Sequence, residues 1–367
     1  MFINTLFEHA QLAEAAYANF WDDRNNEVTT DPAKVQTALK DLGFSKKQAE
    51  EFTSHWEVIS HQPNLNSGFS ATLFKNKHSH EYVFANRGTE TSFPELIADV
   101  IAADVFGIVL LGKATHQLID MYRYFRQLET PTGFVVNYTP EELTLLKGFA
   151  QIPVRESAVL AELVALETGI KTDAGIGVLT SENSVTVTGH SLGGHISTWF
   201  SAFFGSRANH TYTYNGAGIG GFSAEIIDLL TRSFREGKMS VIPNDSLTNV
   251  YGEQGLEVTA GTGDYVGNMN PMFIESQGDS ILGNLGNHSS TLLTDSLAVY
   301  KLINGIDGTL DFDQITIYLE GASNSPKESL EAIVNAIGDV FGIVMGLLRI
   351  INQRPAPCFF VFFNLEK

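Results

Sequence analysis

Cysteine is nearly missing from the chain: Cys358 stands alone in 367 residues, which excludes an internal disulfide framework and any metal site built from several cysteines. Basic residues are scarce as well. Lysine and arginine number 23 against 42 acidic residues, a formal net charge of −19, and no basic cluster interrupts that balance, so nucleic acid is excluded as a partner. A long charge-free apolar run is also missing. The most apolar stretch, 93–112 (FPELIADVIAADVFGIVLLG), carries Glu95, Asp99 and Asp104, which is too polar for a membrane span and predicts a buried or lid-like helix. The N-terminus lacks a basic region followed by an apolar core. Its residues, MFINTLFEHAQLAEAAYANF, include Glu8, His9 and Glu14 and read as a helix rather than a signal peptide, so secretion by the usual leader is not indicated and the location stays open between the cytoplasm and a leaderless route outward. Internal repeats, glycine-rich calcium nonapeptides among them, are absent.

What is present is an ordinary globular composition, with 43% hydrophobic residues, 11% aromatic residues and 33 glycines, enough to bury a substantial core. Helical spacing covers 4–19 and 31–55, with Ser45 placed to cap the later half of the second segment. Two β-rich runs, 68–75 (GFSATLFK) and 80–86 (HEYVFAN), form a hairpin leading to Arg87-Gly88-Thr89-Glu90. An amphipathic helix is expected over 114–128, and an irregular flap over 131–153, where Phe134, Val135, Val136, Leu145 and Leu146 look exposed. The β-branched run 184–188 stops at Gly189, and 195–204 continues with helical character. Strand 210–215 leads into the turn GAGIGG and a helix over 224–235, and 247–251 (LTNVY) is a further strand. This alternation predicts an α/β fold, a mostly parallel central sheet covered by helices on both faces. The whole chain reads as one domain, with a helical N-terminal layer (1–60), an α/β core (68–300) and a C-terminal extension (301–367) holding a helix over 327–349 and the apolar tail CFFVFF.

Gly189-His190-Ser191-Leu192-Gly193 fits G-x-S-x-G, a pattern with a steric cause. A serine lifted out of a sharp strand-to-helix turn requires that the residues two before and two after it carry no side chain, because the backbone of the turn passes through that space. Gly194 adds a further small residue. The serine then stands at the positive end of the following helix, and the N–H of Leu192 is placed to donate to an oxyanion.

GHSLGG, with FANRGTE upstream and YNGAGIGG downstream, makes the chain resemble the class 3 lipases of the α/β-hydrolase superfamily, in the manner of bacterial lipases and phospholipases, over about 68–300. The resemblance implies that Thr89, at the family's Arg-Gly-Ser/Thr position, contributes to the oxyanion hole. It implies a Ser, acid, His order of the triad along the chain. Three histidines follow Ser191: His195 lies one turn along the same helix, His210 precedes a strand, and His288 sits in the loop GNLGNHSS before an apolar helix, where the family's base usually sits. His288 is therefore the expected base. The acid stays open among Glu253, Glu257 and Asp264 on the loop after LTNVY. Asp264 is favoured by chemistry and by a loose match of Gly-Asp-Tyr-Val to the family's Asp-x-Val, while Glu253 and Glu257 stand nearer the strand end.

The expected activity is hydrolysis of lipid acyl esters, as a triacylglycerol lipase or phospholipase A1-type enzyme, through an acyl-enzyme on Ser191 and without metal or organic cofactor. Its partner would be a lipid or phospholipid at a membrane or emulsion interface. The alternatives are a non-catalytic lipid-binding module, with 327–349 and the tail as its membrane face, or a thioesterase or protease on the same fold.

Overall fold

A computed structural model describes residues 2–88, 106–150, 156–216, 218, 242–253, 266–274 and 288–322. Thr89, Glu257, Asp264, the apolar segment up to residue 105, the expected helices over 224–235 and 327–349, and the apolar tail lie outside the described residues.

The sheet is built from seven strands in sequence order: β3 (Trp56–Gln62), β4 (Ala71–Asn76), β5 (Tyr82–Asn86), β6 (Val185–His190), β7 (Ala208–Tyr214), β8 (Leu247–Gly252) and β9 (Asn268–Met272). β3, β4 and β5 pair antiparallel, and β5 through β9 run parallel. Asn86 therefore lies beside Gly189, and His190 beside Tyr214, so the ends of three parallel strands share one edge. β6 is buried along its whole length, as a strand covered on both faces must be.

Alternation along the strands divides the core in two. Leu73 and Phe84 face one side, with α4 (Phe106–Glu129), α5 (Pro140–Ala150) and α7 (Leu192–Phe204); Phe74, Val83 and Ala85 face the other, with α2 (Pro32–Leu42) and α3 (Lys46–His55). Between α4 and α7 lies an aromatic cluster. Phe125 meets Phe200 edge-on at 4.6 Å and Tyr122 stacks on Phe204 at 4.7 Å, contacts worth about 0.5–1.5 kcal/mol each beyond the area they bury. α6 (Glu156–Gly169) completes this side.

On the opposite face α1 (Phe2–Ala15) presents Ile3, Leu6, Phe7, Ala10 and Ala13 at helical spacing to Leu293, Leu297 and Tyr300 of α8 (Ser290–Ile306) and to Tyr214 and Val250 of the sheet. α9 (Phe312–Ala322) closes this layer through Phe312, Ile315 and Leu319. Among the described residues, no helix is long and apolar enough to cross a membrane.

Several expectations are corrected. Over 131–150, the described part of the expected flap 131–153, the chain is not irregular: α5 occupies Pro140–Ala150 and buries Leu145, Leu146 and Phe149. A reciprocal cap starts it, in which the Glu142 N–H donates to Thr139 Oγ1 and the Thr139 N–H to Glu142 Oε2, while Pro140 takes the first helical position. Phe134 and Val135 do remain exposed, while Val136 is buried. The layer 1–60 is not purely helical, because it includes the two-stranded ribbon β1 (Trp21–Asp22) and β2 (Glu27–Val28), and its last residues begin the edge strand β3. β9 and α9 are not anticipated by the sequence; NMNPM has neither alternation nor β-branched residues.

Candidate active site

The turn after β6 has the conformation its glycines require. Ser191 sits at φ 57, ψ −125, a left-handed region that costs a side-chain-bearing residue about 1–3 kcal/mol and persists only where the surroundings hold it. They do so through several contacts. The Ser191 N–H donates to Tyr214 O at 3.0 Å, and the Gly194 N–H donates to Ser191 O at 2.9 Å. A Cβ on Gly189 would strike the carbonyl oxygen of Gly193, and one on Gly193 would strike Asn86 O, so both positions are closed to any other residue. Gly194 is similarly confined, since its Cβ would come within 2.7 Å of Gly216 Cα. β5 is fastened to the helix side of the turn by Asn86, whose Nδ2 donates to Ser197 Oγ at 3.0 Å.

His288 lies two residues before α8, and its Nε2 is 2.8 Å from Ser191 Oγ, although 97 residues separate the two. For the hydroxyl to donate to Nε2, the ring proton must sit on Nδ1. That nitrogen is buried and has no hydrogen-bond partner among the described residues. An unsatisfied buried donor costs about 1–3 kcal/mol, so the position calls for an acceptor, the role a triad carboxylate fills. Burial holds the His288 ring down to about 4, which keeps it neutral and able to accept a proton at neutral pH.

Of the expected acids, Asp264 and Glu257 lie outside the described residues. Glu253, directly after β8, is exposed and not hydrogen-bonded to His288 Nδ1; its own N–H donates to Met272 O at 3.1 Å. Asp245 is exposed at the opposite end of β8. Leu192 opens α7, where helix geometry leaves its N–H without an intrahelical acceptor. Thr89 lies outside the described residues, but Gly88, next to it, is packed so closely on the turn that its Cβ would come 3.4 Å from Ser191 Cβ.

His195 and His210 are engaged elsewhere. His195 Nδ1 donates to Gly218 O at 2.9 Å, and burial pushes its ring down to about 4. His210 Nε2 bonds Thr248 Oγ1 at 2.8 Å near the start of β7, the end of the sheet away from Ser191.

Two residues at the site carry no expectation from sequence. His190, inside the motif, donates from Nε2 to the main-chain oxygen of His288 at 2.6 Å, and Tyr17 lies with its hydroxyl 3.0 Å from His190 Nδ1. Burial first, then the neighbouring His288 charge, holds His190 down to about 3. His190 could have been singled out by its place in the motif, whereas nothing local marks Tyr17. No cluster of three or more His, Cys, Asp or Glu side chains among the described residues is placed to hold a metal ion.

No protein-family model and no curated protein matches the chain. Among solved structures it is similar to the Lip2 lipase of Yarrowia lipolytica, at 14% identity and a TM-score of 0.35, over 78% of this chain and 91% of that one. It is also similar to the Rhizomucor miehei lipase propeptide complex, at 12% identity and a TM-score of 0.32, over 74% and 68% of the two chains. A third is lipase II of Rhizopus niveus, at 15% identity and a TM-score of 0.31, over 70% and 74%. All three come from fungi rather than bacteria, and at such identities function is left to the geometry of the site itself.

Proposed function

We propose that this chain is a serine hydrolase of lipid acyl esters, a triacylglycerol lipase or phospholipase A1-type enzyme. The observation that carries the proposal is the strained Ser191 with His288 Nε2 at 2.8 Å from its hydroxyl oxygen. Ser191 Oγ attacks the ester carbonyl while its proton passes to His288 Nε2, and the imidazolium returns that proton to the leaving alcohol. Water then attacks the acyl-enzyme with His288 again as base. The N–H of Leu192 and the loop residue Thr89 donate to the oxyanion. Asp264 orients His288 through Nδ1, with Glu257 as the other carboxylate for that role; Glu253, exposed and not bonded to that nitrogen, is set aside. Lipid substrates are supported by the RGTE and GHSLGG motifs. An intact Ser191–His288 contact disfavours the non-catalytic binding module.

The test is reaction of purified protein with a fluorophosphonate, followed by a panel from p-nitrophenyl esters of rising chain length to triglyceride emulsion and phosphatidylcholine. One label per chain on Ser191, and turnover that rises with chain length, is the expected result. Ser191→Ala should lose on the order of a million-fold in turnover. A Ser191→Ala protein that keeps more than a few per cent of activity refutes the assignment; exclusive turnover of thioesters or peptides refutes the substrate class.

A further inference from the structure

The buried hydrogen bonds behind Ser191 form a directed series. His190 Nε2 faces the main-chain oxygen of His288, which can only accept, so the ring proton of His190 must be on Nε2. A neutral imidazole carries one proton, which leaves Nδ1 bare. The group 3.0 Å from it is the Tyr17 hydroxyl, which therefore donates. Burial raises Tyr17 well above the usual phenol range and lowers His190 to about 3, so neither changes protonation over the working range. The order is fixed: Tyr17 O–H to His190, then His190 N–H to the backbone of the residue that touches Ser191.

The placement of Tyr17 is equally specific. α1 packs on β6 and on α8, the helix that begins just after His288, and Thr291 Oγ1 donates to Glu14 Oε1 at 2.8 Å. Past the end of α1 the chain continues in a tight turn, with the Tyr17 N–H donating to Glu14 O at 3.0 Å. Tyr17 is thereby held from the same helix that holds the start of α8.

We propose that Tyr17 and His190 are positioning residues acting in series, Tyr17 fixing the tautomer and tilt of His190, and His190 holding the His288 carbonyl so that Nε2 stays on Ser191 Oγ. The proposal rests on Ser191 and His288 being the reacting pair. Neither Tyr17 nor His190 need touch substrate. Their loss should appear in kcat and in the rate of serine acylation, with KM for a small soluble ester unchanged.

The experiment compares Tyr17→Phe, His190→Gln, His190→Leu and the double variant Tyr17→Phe/His190→Leu, using p-nitrophenyl butyrate and the rate of fluorophosphonate labelling. Removal of one neutral hydrogen bond predicts a loss of about tenfold in kcat for Tyr17→Phe, with KM within about twofold. His190→Leu should lose more, about a hundredfold, because the His288 carbonyl also loses its donor. His190→Gln should fall between wild type and His190→Leu, since its amide N–H can reach the position of Nε2–H. If the two act in series, Tyr17→Phe should cost little further in the His190→Leu background. Full activity in Tyr17→Phe, losses that multiply in the double variant, or an effect confined to KM would overturn the proposal. Should His190→Leu fail to fold, Tyr17→Phe with His190→Gln decides by the same kcat criterion. Wild type that does not label at all sinks the hydrolase assignment and this proposal together. Wild type that labels at the same rate as Tyr17→Phe sinks the positioning role alone.

Discussion

Replacing Gly88 by alanine tests how tightly the loop before Thr89 is pressed against the nucleophile. Gly88 does not have a positive φ, so alanine meets no conformational penalty there, and the effect must come from contact. The added methyl group meets the Tyr17 hydroxyl and the His190 carbonyl oxygen closer than any real Cβ approaches such atoms, with Ser191 Cβ at 3.4 Å behind them. The carbonyl belongs to the strained turn and cannot retreat, and Tyr17 is tied to His190, so Gly88 must move away and carry its neighbour Thr89 with it. Overpacking of this kind costs about 1–3 kcal/mol of stability. A displacement of about 1 Å in a positioning group costs on the order of a hundredfold in rate. The assay is kcat on a soluble ester beside a thermal melt, with Gly305→Ala as the control. An added Cβ at Gly305, in the last turn of α8, meets nothing within 4 Å, so that variant should gain up to about 0.5–1 kcal/mol and keep its activity. Wild-type kcat in Gly88→Ala would refute the close approach of this loop to Ser191.

A carboxylate bonded to His288 Nδ1 favours the charged ring and so raises it above the value of about 4 that burial alone imposes. Asp264→Asn should accordingly shift the acid limb of the kcat/KM profile to lower pH and cost about four orders of magnitude in kcat, while Glu253→Gln and Glu257→Gln leave the limb in place; a limb that moves for one of those instead transfers the role to it. Stability should fall with acid in a defined window. His61 and His190 are held down to about 3 and His195 to about 4, all chiefly by burial, so between the ordinary value of 6.5 and these values the unfolded chain binds more protons than the folded one. Each such histidine removes up to about 1.4 kcal/mol per pH unit as pH drops through that window; Glu8, Glu14 and Asp120, raised by burial, act with the opposite sign and soften the slope. Denaturant midpoints that stay flat between neutral pH and the lower end of the window contradict the buried neutral state of these rings. Thr139→Ala removes half of the reciprocal cap on α5 and should cost about 1 kcal/mol in urea unfolding without changing kcat; no loss would mean that α5 is held by packing alone.

How much the chain discloses before it folds depends on the distance over which each physical rule acts. The strand, turn and helix around Ser191 are local: the β-branched run 184–188 cannot easily turn helical, and the glycines at 189 and 193 are demanded by atoms within the same few residues or one strand away. Ser45, which caps α3, is legible for the same reason, because an N-cap acts over three residues. α5 obeys the same local rule through Thr139 and Glu142, but the apolar residues beside it resemble an exposed flap until they are seen against Trp199 and Phe203. β9 forms although NMNPM has no strand character of its own, because β8 offers it a ladder of partners. The site itself depends most on tertiary structure. The resemblance to the class 3 lipases points to His288, yet only packing of α1 and α8 on the parallel strands brings its ring to Ser191 across 97 residues, and sets Tyr17 on His190 across 173. No local pattern encodes either contact, since hydrophobic burial chooses how the layers pack, and the geometry of the hydrogen bonds follows from that choice.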